Sequence, residues 1–235
     1  MATPFDVIGF DADDTLWHSE DSFHAVEQRF VELLAPYVPV GVDVAAALRA
    51  TERANLSVAG YGVKAFTISM VQAAITVSDA HVPAVVVADL VAAGMDMLSE
   101  TVRLLPDVPE VLVDLGRDHR LVLITKGDLV HQTRKVTTSG LAHHFEHVEV
   151  VLEKDAETYA RIIGGLGIGA DRFCMVGNSV RSDILPVLGL GGHAVHIPYP
   201  LLWDHEHVDH DEDLDELTAL AELPARLRAH EVPLT

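Results

Sequence analysis

Basic residues are scarce in this chain. Against 36 aspartates and glutamates stand only 16 lysines and arginines, a net charge of −20 at neutral pH over 235 residues. With no local basic patch to override that balance, nucleic acid and anionic membrane surfaces are excluded as expected partners. Cysteine is almost missing, and the single Cys174 has no mate for an internal disulfide. Long apolar runs are missing as well: the most apolar stretch, residues 82–98, is interrupted by Asp89 and Asp96 and is too short to span a bilayer. The opening residues MATPFDVIGFDADD hold neither a basic segment nor the long apolar segment of a secretory leader. The expectation is a cytoplasmic protein whose partner is a small molecule. Internal repeats are absent too. What is present, 49% hydrophobic and 22% charged residues, is ordinary globular composition with material for a sizeable core. The length suits one large domain or a main domain carrying an insert.

Three short apolar runs end abruptly in polar or glycine clusters. Residues 5–10 stop at Asp11, residues 120–125 stop at Lys126-Gly127, and residues 172–176 stop at Gly177-Asn178. Such runs read as buried strands with polar carboxyl ends. Helical stretches at 109–116, 128–140, 155–166 and 181–190 lie between or after them, bounded by cap residues or glycines. Alternation of this kind predicts a Rossmann-like α/β fold, a parallel sheet with helices on both faces and its site at the carboxyl ends of the strands. Between residues 18 and 101 no strand pattern is found; helical periodicity at 22–34, 43–55, 63–77 and 84–100 predicts an all-helical insert after the first strand. The expected domains are therefore a core of residues 1–17 and 102–235 and a helical insert of residues 18–101. A last amphipathic helix is expected at 214–229.

Several eye-catching features read as structural. The G-x-G-x-x-A stretches at 165–170 and 189–194 each follow a helix and precede a strand, the reverse of a dinucleotide fingerprint, and read as helix-ending turns. Cys174 lies inside an apolar strand, where a thiol acts as a small hydrophobe. Residues 204–216 carry 8 acids with His205, His207 and His210. Such a mixture could ligate a metal, but it reads better as a solvated loop before a helix. His143, His144 and His147 read as part of a post-helix turn.

The informative element is Asp11-Ala12-Asp13-Asp14-Thr15, directly after the first strand. Two carboxylates two residues apart at a sheet edge can divide labour: Asp11 attacks a phosphorus as nucleophile, while Asp13 protonates the leaving oxygen and later deprotonates the hydrolytic water. The same residues also suit an Asp-rich turn or helix cap in which Thr15 satisfies backbone groups.

Three further elements stand in order at the later strand ends: Thr125, Lys154, and Gly177-Asn178-Ser179-Val180-Arg181-Ser182-Asp183. Together with the first motif they resemble the haloacid dehalogenase (HAD) superfamily, in particular its phosphatase-like members with a helical cap inserted after motif one. The resemblance covers essentially the whole chain. It implies a Mg²⁺-dependent phosphatase acting on a small phosphorylated metabolite through an aspartyl-phosphate on Asp11, with Asp13 as acid and base and Thr15 in the catalytic loop. It implies metal ligands in the Asp11 carboxylate, the Asp13 carbonyl and the motif-four side chains Asn178 and Asp183. Lys154 would neutralise Asp11 and a phosphate oxygen, and Thr125 with the backbone N–H groups of Lys126 and Gly127 would hold the phosphoryl oxygens. Two positions depart from the commoner pattern: Asn178 stands where many relatives have Asp, and Lys126 where this branch often has Asn, adding a cation at the phosphate mouth.

In capped relatives, positions such as Arg49, Arg53, Tyr61 and Lys64 of the insert and Trp17 and His18 at its hinge contact the leaving group or gate closure. They read equally well as surface charges, an inter-helix turn and a chain crossing. A 2-haloacid dehalogenase, which attacks carbon without metal and lacks the second carboxylate, a phosphomutase, and a binding relative without turnover stay open as alternatives. A phospho-accepting signalling domain is disfavoured by the order of its acidic residues along the strands. Monomer and homodimer both fit the sequence.

Overall fold

The computed structural model describes residues 4–201, 203 and 206–229. The chain divides into two compact units, one of Met1–Glu20, Val102–Lys126 and Gln132–Thr235, the other of Asp21–Thr101 and Gly127–His131.

The first unit is built on five parallel strands, β1 (Val7–Phe10), β2 (Arg120–Lys126), β3 (His147–Val151), β4 (Phe173–Gly177) and β5 (His193–His196), in the spatial order β3-β2-β1-β4-β5. The α/β class expected from the strand-helix alternation is the one observed. Successive strands first build outward from β1 on one side and then return to its other side. The topological switch therefore lies at β1, flanked by β2 and β4, where α/β sheets place their ligands. Phe10 is in register with Leu123 of β2 and Val176 of β4, so the loops after β1 and β4 leave the sheet at nearly one level, while β2 continues to Lys126.

Alternation along these strands feeds two cores. Ile8, Phe10, Leu121, Leu123, Cys174 and Val176 pack with Val111 and Leu112 of α5 (Val108–Leu115), Val136 of α6 (Leu129–Thr138) and Leu223 and Leu227 of α9 (Leu223–Ala229). On the opposite face Val7, Val122, Ile124, Phe173 and Met175 pack with Tyr159, Ile162 and Ile163 of α7 (Ala156–Leu166) and Val187 of α8 (Leu185–Leu188). Cys174 is fully buried in the first core, in keeping with a hydrophobic role. Gly167 ends α7 with φ 75°, the left-handed turn expected there instead of a dinucleotide loop.

The second unit is all-helical over α1 (Glu20–Leu34), α2 (Val44–Ala59), α3 (Val63–Val77) and α4 (Ala84–Ser99). Asp43 caps α2 by accepting the Ala46 N–H at 2.9 Å. Phe30, Leu34, Leu48, Phe66, Met70 and Leu90 form its core. Helices α3 and α4 approach closely at Gly94, where a Cβ would lie 2.0 Å from Thr67 Oγ1. Arg49 pairs with Glu27 at 2.6 Å, Lys64 donates to both oxygens of Asp128 at 2.9 Å, and Arg53 is exposed. No helix among the described residues is long and apolar enough to cross a membrane.

Three expectations need correction. Strands β3 and β5 were not foreseen: they are the sheet's edges, and β3 alternates valines with His147 and Glu149, which stay partly exposed, so no apolar run marks it. His147 accordingly begins a strand, while His143 and His144 lie in a helical turn. The helix expected at 214–229 begins only near Leu220, because residues 215–217 pair instead with the open edge of β5, His196 N–H donating to Asp215 O at 2.8 Å and Leu217 N–H to His196 O at 2.9 Å. A strand edge with unpaired backbone groups outbids a helix start loaded with acids. Of the acidic stretch, residues 204 and 205, hence His205, lie outside the described residues; Glu206 is buried, against the solvated reading.

Gly9 is a point where the fold depends on a missing side chain: a Cβ there would lie 2.6 Å from Phe173 Cζ and 3.0 Å from Met175 Sδ. Gly9→Ala is expected to cost about 1–3 kcal/mol by overpacking the centre of the sheet. Thermal or urea denaturation reads this directly; an unchanged midpoint would show that the Phe173 ring can move aside.

Candidate active site at the carboxyl edge of the sheet

Three strand ends deliver three side chains to one point. Asp11 follows β1, its N–H donating to Val176 O of β4 at 2.9 Å. Lys154 follows β3 at the entry to α7, and Asp183 lies in a π-helical turn (Val180–Ile184) after β4. The Lys154 ammonium bonds Asp11 Oδ1 and donates to Asp183 Oδ1 at 2.7 Å. All three are buried, at 6%, 4% and 1% exposure. Lys154 is thus no surface lysine. Burial alone would lower its pKa, but the two carboxylates hold it above its ordinary range. Burial pushes the Asp11 carboxyl up to about 7, with Lys154 pulling the other way and Asp183 adding to the rise. One ammonium cannot neutralise two buried carboxylates.

The motif-four turn is shaped to hold Asp183. Its second oxygen accepts the Ser179 N–H at 3.0 Å, and the Tyr159 hydroxyl donates to Ser182 O at 3.1 Å. Gly177 must lack a side chain, since a Cβ there would lie 2.2 Å from Asp183 Oδ2. Thr15 Oγ1 donates to Asp11 Oδ2 at 3.0 Å and stands 3.4 Å from Asn178 Oδ1, bringing those two oxygens around one hydroxyl. His196 Nε2 lies 3.1 Å from Asn178 O, and its Nδ1 lies 2.9 Å from Glu216.

Asp13 has its own set of donors. Trp17 Nε1 donates to Oδ1 at 2.6 Å, Lys135 Nζ lies 2.5 Å from the same oxygen, and Gln132 Nε2 donates to Oδ2 at 2.9 Å. Burial would raise this carboxyl, but Lys135, Gln132 and Trp17 together hold it below its ordinary range. Gln132 also donates to Thr125 Oγ1 at 2.9 Å, tying motif two to Asp13, while its Oε1 is buried without a partner. Trp17, marked in the sequence as a hinge, is therefore a buried donor to Asp13, and His18 Nδ1 lies 2.7 Å from Tyr199 Oη. Asp14, at φ 65°, accepts the Ser19 N–H at 2.8 Å and the Glu20 N–H at 3.1 Å. Burial, followed by the charge of Asp13, pushes its carboxyl up to about 7.

Of the positions singled out in the sequence, Asp11, Thr15, Lys154, Asn178 and Asp183 form one bonded cluster, and Asp13 and Thr125 a second, joined by Gln132. The ammonium of Lys126 does not stand open as a phosphate cation; it bonds Glu206 Oε1 at 2.5 Å and Ser182 Oγ at 2.8 Å. Gly127 takes φ 134°, a conformation other residues resist, and groups with the helical unit. Sequence reasoning missed Gln132, Lys135 and Glu206. Gln132 and Lys135 lie three residues apart on α6, the spacing of one helix face, and that was the available signal.

Among the described residues no group of three or more His, Cys, Asp or Glu side chains could by itself hold a metal ion. A hard cation that keeps several waters fits nonetheless. The Asp11 carboxylate and the Asn178 amide oxygen, gathered around the Thr15 hydroxyl, are oxygen donors, and the surplus negative charge of the Asp11–Lys154–Asp183 cluster suits a further cation. This donor set suits Mg²⁺ and not a softer metal.

A family model for haloacid dehalogenase-like hydrolases matches residues 5–189. Among solved structures, a haloacid dehalogenase-like family hydrolase from Xanthomonas campestris is 39% identical, with a TM-score of 0.88 over 97% of this chain and 92% of that one. A predicted phosphoglycolate phosphatase from Haemophilus somnus 129pt is 18% identical, with a TM-score of 0.65 over 95% and 98%. A 2-haloacid dehalogenase from Pseudomonas syringae pv. Tomato DC3000 is 21% identical, with a TM-score of 0.64 over 96% and 98%. The last two are likenesses of fold. A search of curated proteins gives no match.

Asp14 yields a pH prediction. Its folded pKa, about 7, lies above the unfolded value, so its contribution is fully present below about pH 4 and is lost as pH rises through 7. Asp14→Asn keeps an oxygen for both N–H donors and removes the charge. In EDTA the variant should gain stability over wild type as pH rises from about 4 to 8, by about 1–3 kcal/mol at the upper end. Denaturation at several pH values measures it, and a pH-independent difference would contradict the assignment.

Proposed function

The chain belongs to the haloacid dehalogenase-like hydrolases, and within that family we propose a Mg²⁺-dependent phosphatase that passes the phosphoryl group of a small phosphorylated metabolite to Asp11 and then to water. One observation carries the reading: Asp13, a second carboxylate gripped by Trp17, Lys135 and Gln132. Releasing an alkoxide needs a proton donor, whereas halide displaced from carbon leaves without one; the covalent intermediate of either reaction must then be hydrolysed by an activated water, so the acid role of Asp13 is what separates the two. The phosphomutase alternative shares this first half-reaction.

In this reading Asp11 Oδ2, held by Thr15, attacks phosphorus, and Lys154 cancels charge between the two anions. Thr125, fixed by Gln132, and the backbone after it receive the transferring oxygens. Asp13 is ionised at rest; the negative charge of an arriving ester raises its proton affinity, so it becomes an acid only with substrate bound and returns to being a base for water. Asp11, the Asp13 carbonyl, Asn178 and Asp183 are the residues assigned to Mg²⁺, which when bound supplies electrostatic neutralisation of nucleophile and phosphate. The all-helical insert, residues 18–101, is assigned the cap role of the family.

The test is hydrolysis of aryl and alkyl phosphates. Asp11→Asn should lower kcat by more than about 10³-fold with the fold intact. Asp13→Asn should cost about 10²–10⁴-fold on alkyl esters and much less on aryl phosphates, whose leaving groups need little protonation. EDTA should abolish turnover and Mg²⁺ restore it; full activity without metal would favour the dehalogenase alternative. Asn178→Asp, adding a charged oxygen, should lower the half-saturating Mg²⁺ concentration about three-fold or more, whereas Asp183→Ala should raise it. Identical half-saturation in wild type and both variants would remove motif four from the metal site.

A further inference from the structure

Beyond the region matched by the family model, one carboxylate returns to the catalytic edge. Glu206 is 8% exposed. Its Oε1 takes the Lys126 ammonium at 2.5 Å, and its Oε2 takes the hydroxyls of Ser179 and Ser182, each at 2.5 Å. Lys126 also donates to Ser182 Oγ at 2.8 Å, and the Ser182 N–H donates to Ser179 Oγ at 3.1 Å. Burial works against this carboxylate, yet Lys126 and the two hydroxyls bring its pKa down to about 2. Three donors converging on one buried anion make a cradle, and a carboxylate buried without them would be costly.

Each wall of the cradle adjoins a residue of the site: Lys126 follows Thr125, Ser179 follows Asn178, and Ser182 precedes Asp183. Glu206 therefore clamps the end of β2 to the N-cap and the middle of the π-helical turn. That turn carries Asp183, which holds Lys154 against Asp11.

We propose that Glu206 is a positioning residue of the phosphoryl-transfer site, fixing the motif-four turn through Ser179 and Ser182 and cancelling the charge of Lys126, so that Lys154 is left as the cation that meets the phosphoryl group. The kinetic arms of its test rest on the phosphatase reading; the arm with acetate does not.

Glu206→Gln keeps the shape and an acceptor but drops the charge. With an aryl phosphate as substrate and inorganic phosphate as inhibitor, kcat should fall at least ten-fold while the inhibition constant for phosphate falls about three-fold or more, because Lys126 is no longer balanced. Glu206→Asp, which keeps the charge on a shorter stem, should hold the wild-type phosphate inhibition constant and recover part of kcat. Glu146→Gln makes the same change of net charge at an exposed pair with Arg120 and should alter neither quantity. Glu206→Ala leaves an anion-shaped void, so millimolar acetate should raise its melting temperature and leave that of wild type unmoved. Overturning results are a Glu206→Gln enzyme with wild-type kcat and phosphate inhibition, equal losses of kcat in the Gln and Asp variants with phosphate inhibition unmoved, or no acetate effect on Glu206→Ala. Should wild type hydrolyse no phosphate ester, the phosphatase reading fails by itself, and the acetate response still decides whether the cradle holds an anion.

Discussion

A single ammonium between two buried carboxylates is the constraint around which the sheet-bearing unit is arranged. Lys154, Asp11 and Asp183 come from the ends of β3, β1 and β4, and none of them could be buried alone, since each ion taken out of water costs several kcal/mol unless it is paired. The triad forms only if the three strands end at the right level. Strands β1 and β4 end side by side, β3 runs further with β2, so that Lys154 reaches back from its longer end, and the bare Cα of Gly177 provides the space into which Asp183 fits. The π-helical turn follows from the same demand, because it returns Asp183 to the strand end it has just left, its N–H donating to Ser179 O at 2.8 Å. Fold and site are in this sense one problem: the sheet is buried by two apolar faces, and its carboxyl edge is ordered by an ion cluster.

The distribution of cations follows from that problem. The chain has 4 lysines against 12 arginines. Three of the four, Lys126, Lys135 and Lys154, lie at the catalytic edge, each bonded to a carboxylate there. The arginines bonded to acids, such as Arg120 with Glu146 and Arg172 with Asp6, make half-exposed pairs on the outside. A compact ammonium can sit between several single oxygens at once, as Lys154 does, whereas a guanidinium fork prefers one planar partner. In a chain with a net charge of −20, local pairing of buried carboxylates with these lysines matters more than it would in a neutral protein.

What the sequence made legible was whatever is contiguous. Asp11, Asp13 and Thr15 lie within five residues, and three apolar runs pointed to β1, β2 and β4, the inner strands, because burial on both faces removes polar residues from them. The edge strands are short: β3 is largely exposed and mixes histidine and glutamate with its valines, and β5, though mostly buried, is bounded by histidines, so no apolar run distinguished them. Lys154 was ambiguous for a related reason: Glu153-Lys154-Asp155 looks like any polar helix start, and only the approach of Asp11 and Asp183 from 143 and 29 residues away shows it to be buried. Glu206 was hidden most completely, one acid in a run of 8, and nothing local separates the one that turns inward from those that face water.

The same accounting gives a reason for Asn178. At the end of β1 and beside it the chain already places Asp11, Asp14 and Asp183, and Lys154 bonds Asp11 and Asp183, while Lys126 and Lys135 are engaged by Glu206 and Asp13. Burial drives both Asp11 and Asp14 up to about 7, with the neighbouring carboxylates adding to the rise. A further carboxylate next to Thr15 would add to the repulsion among these groups. An amide oxygen keeps a hard donor in that place without the charge, and His196, bonded to the carbonyl of Asn178 and backed by Glu216, fixes the loop that carries it. The asparagine is then a consequence of how many acids the rest of the edge already carries, which ties the departure in motif four to the scarcity of cations in the chain as a whole.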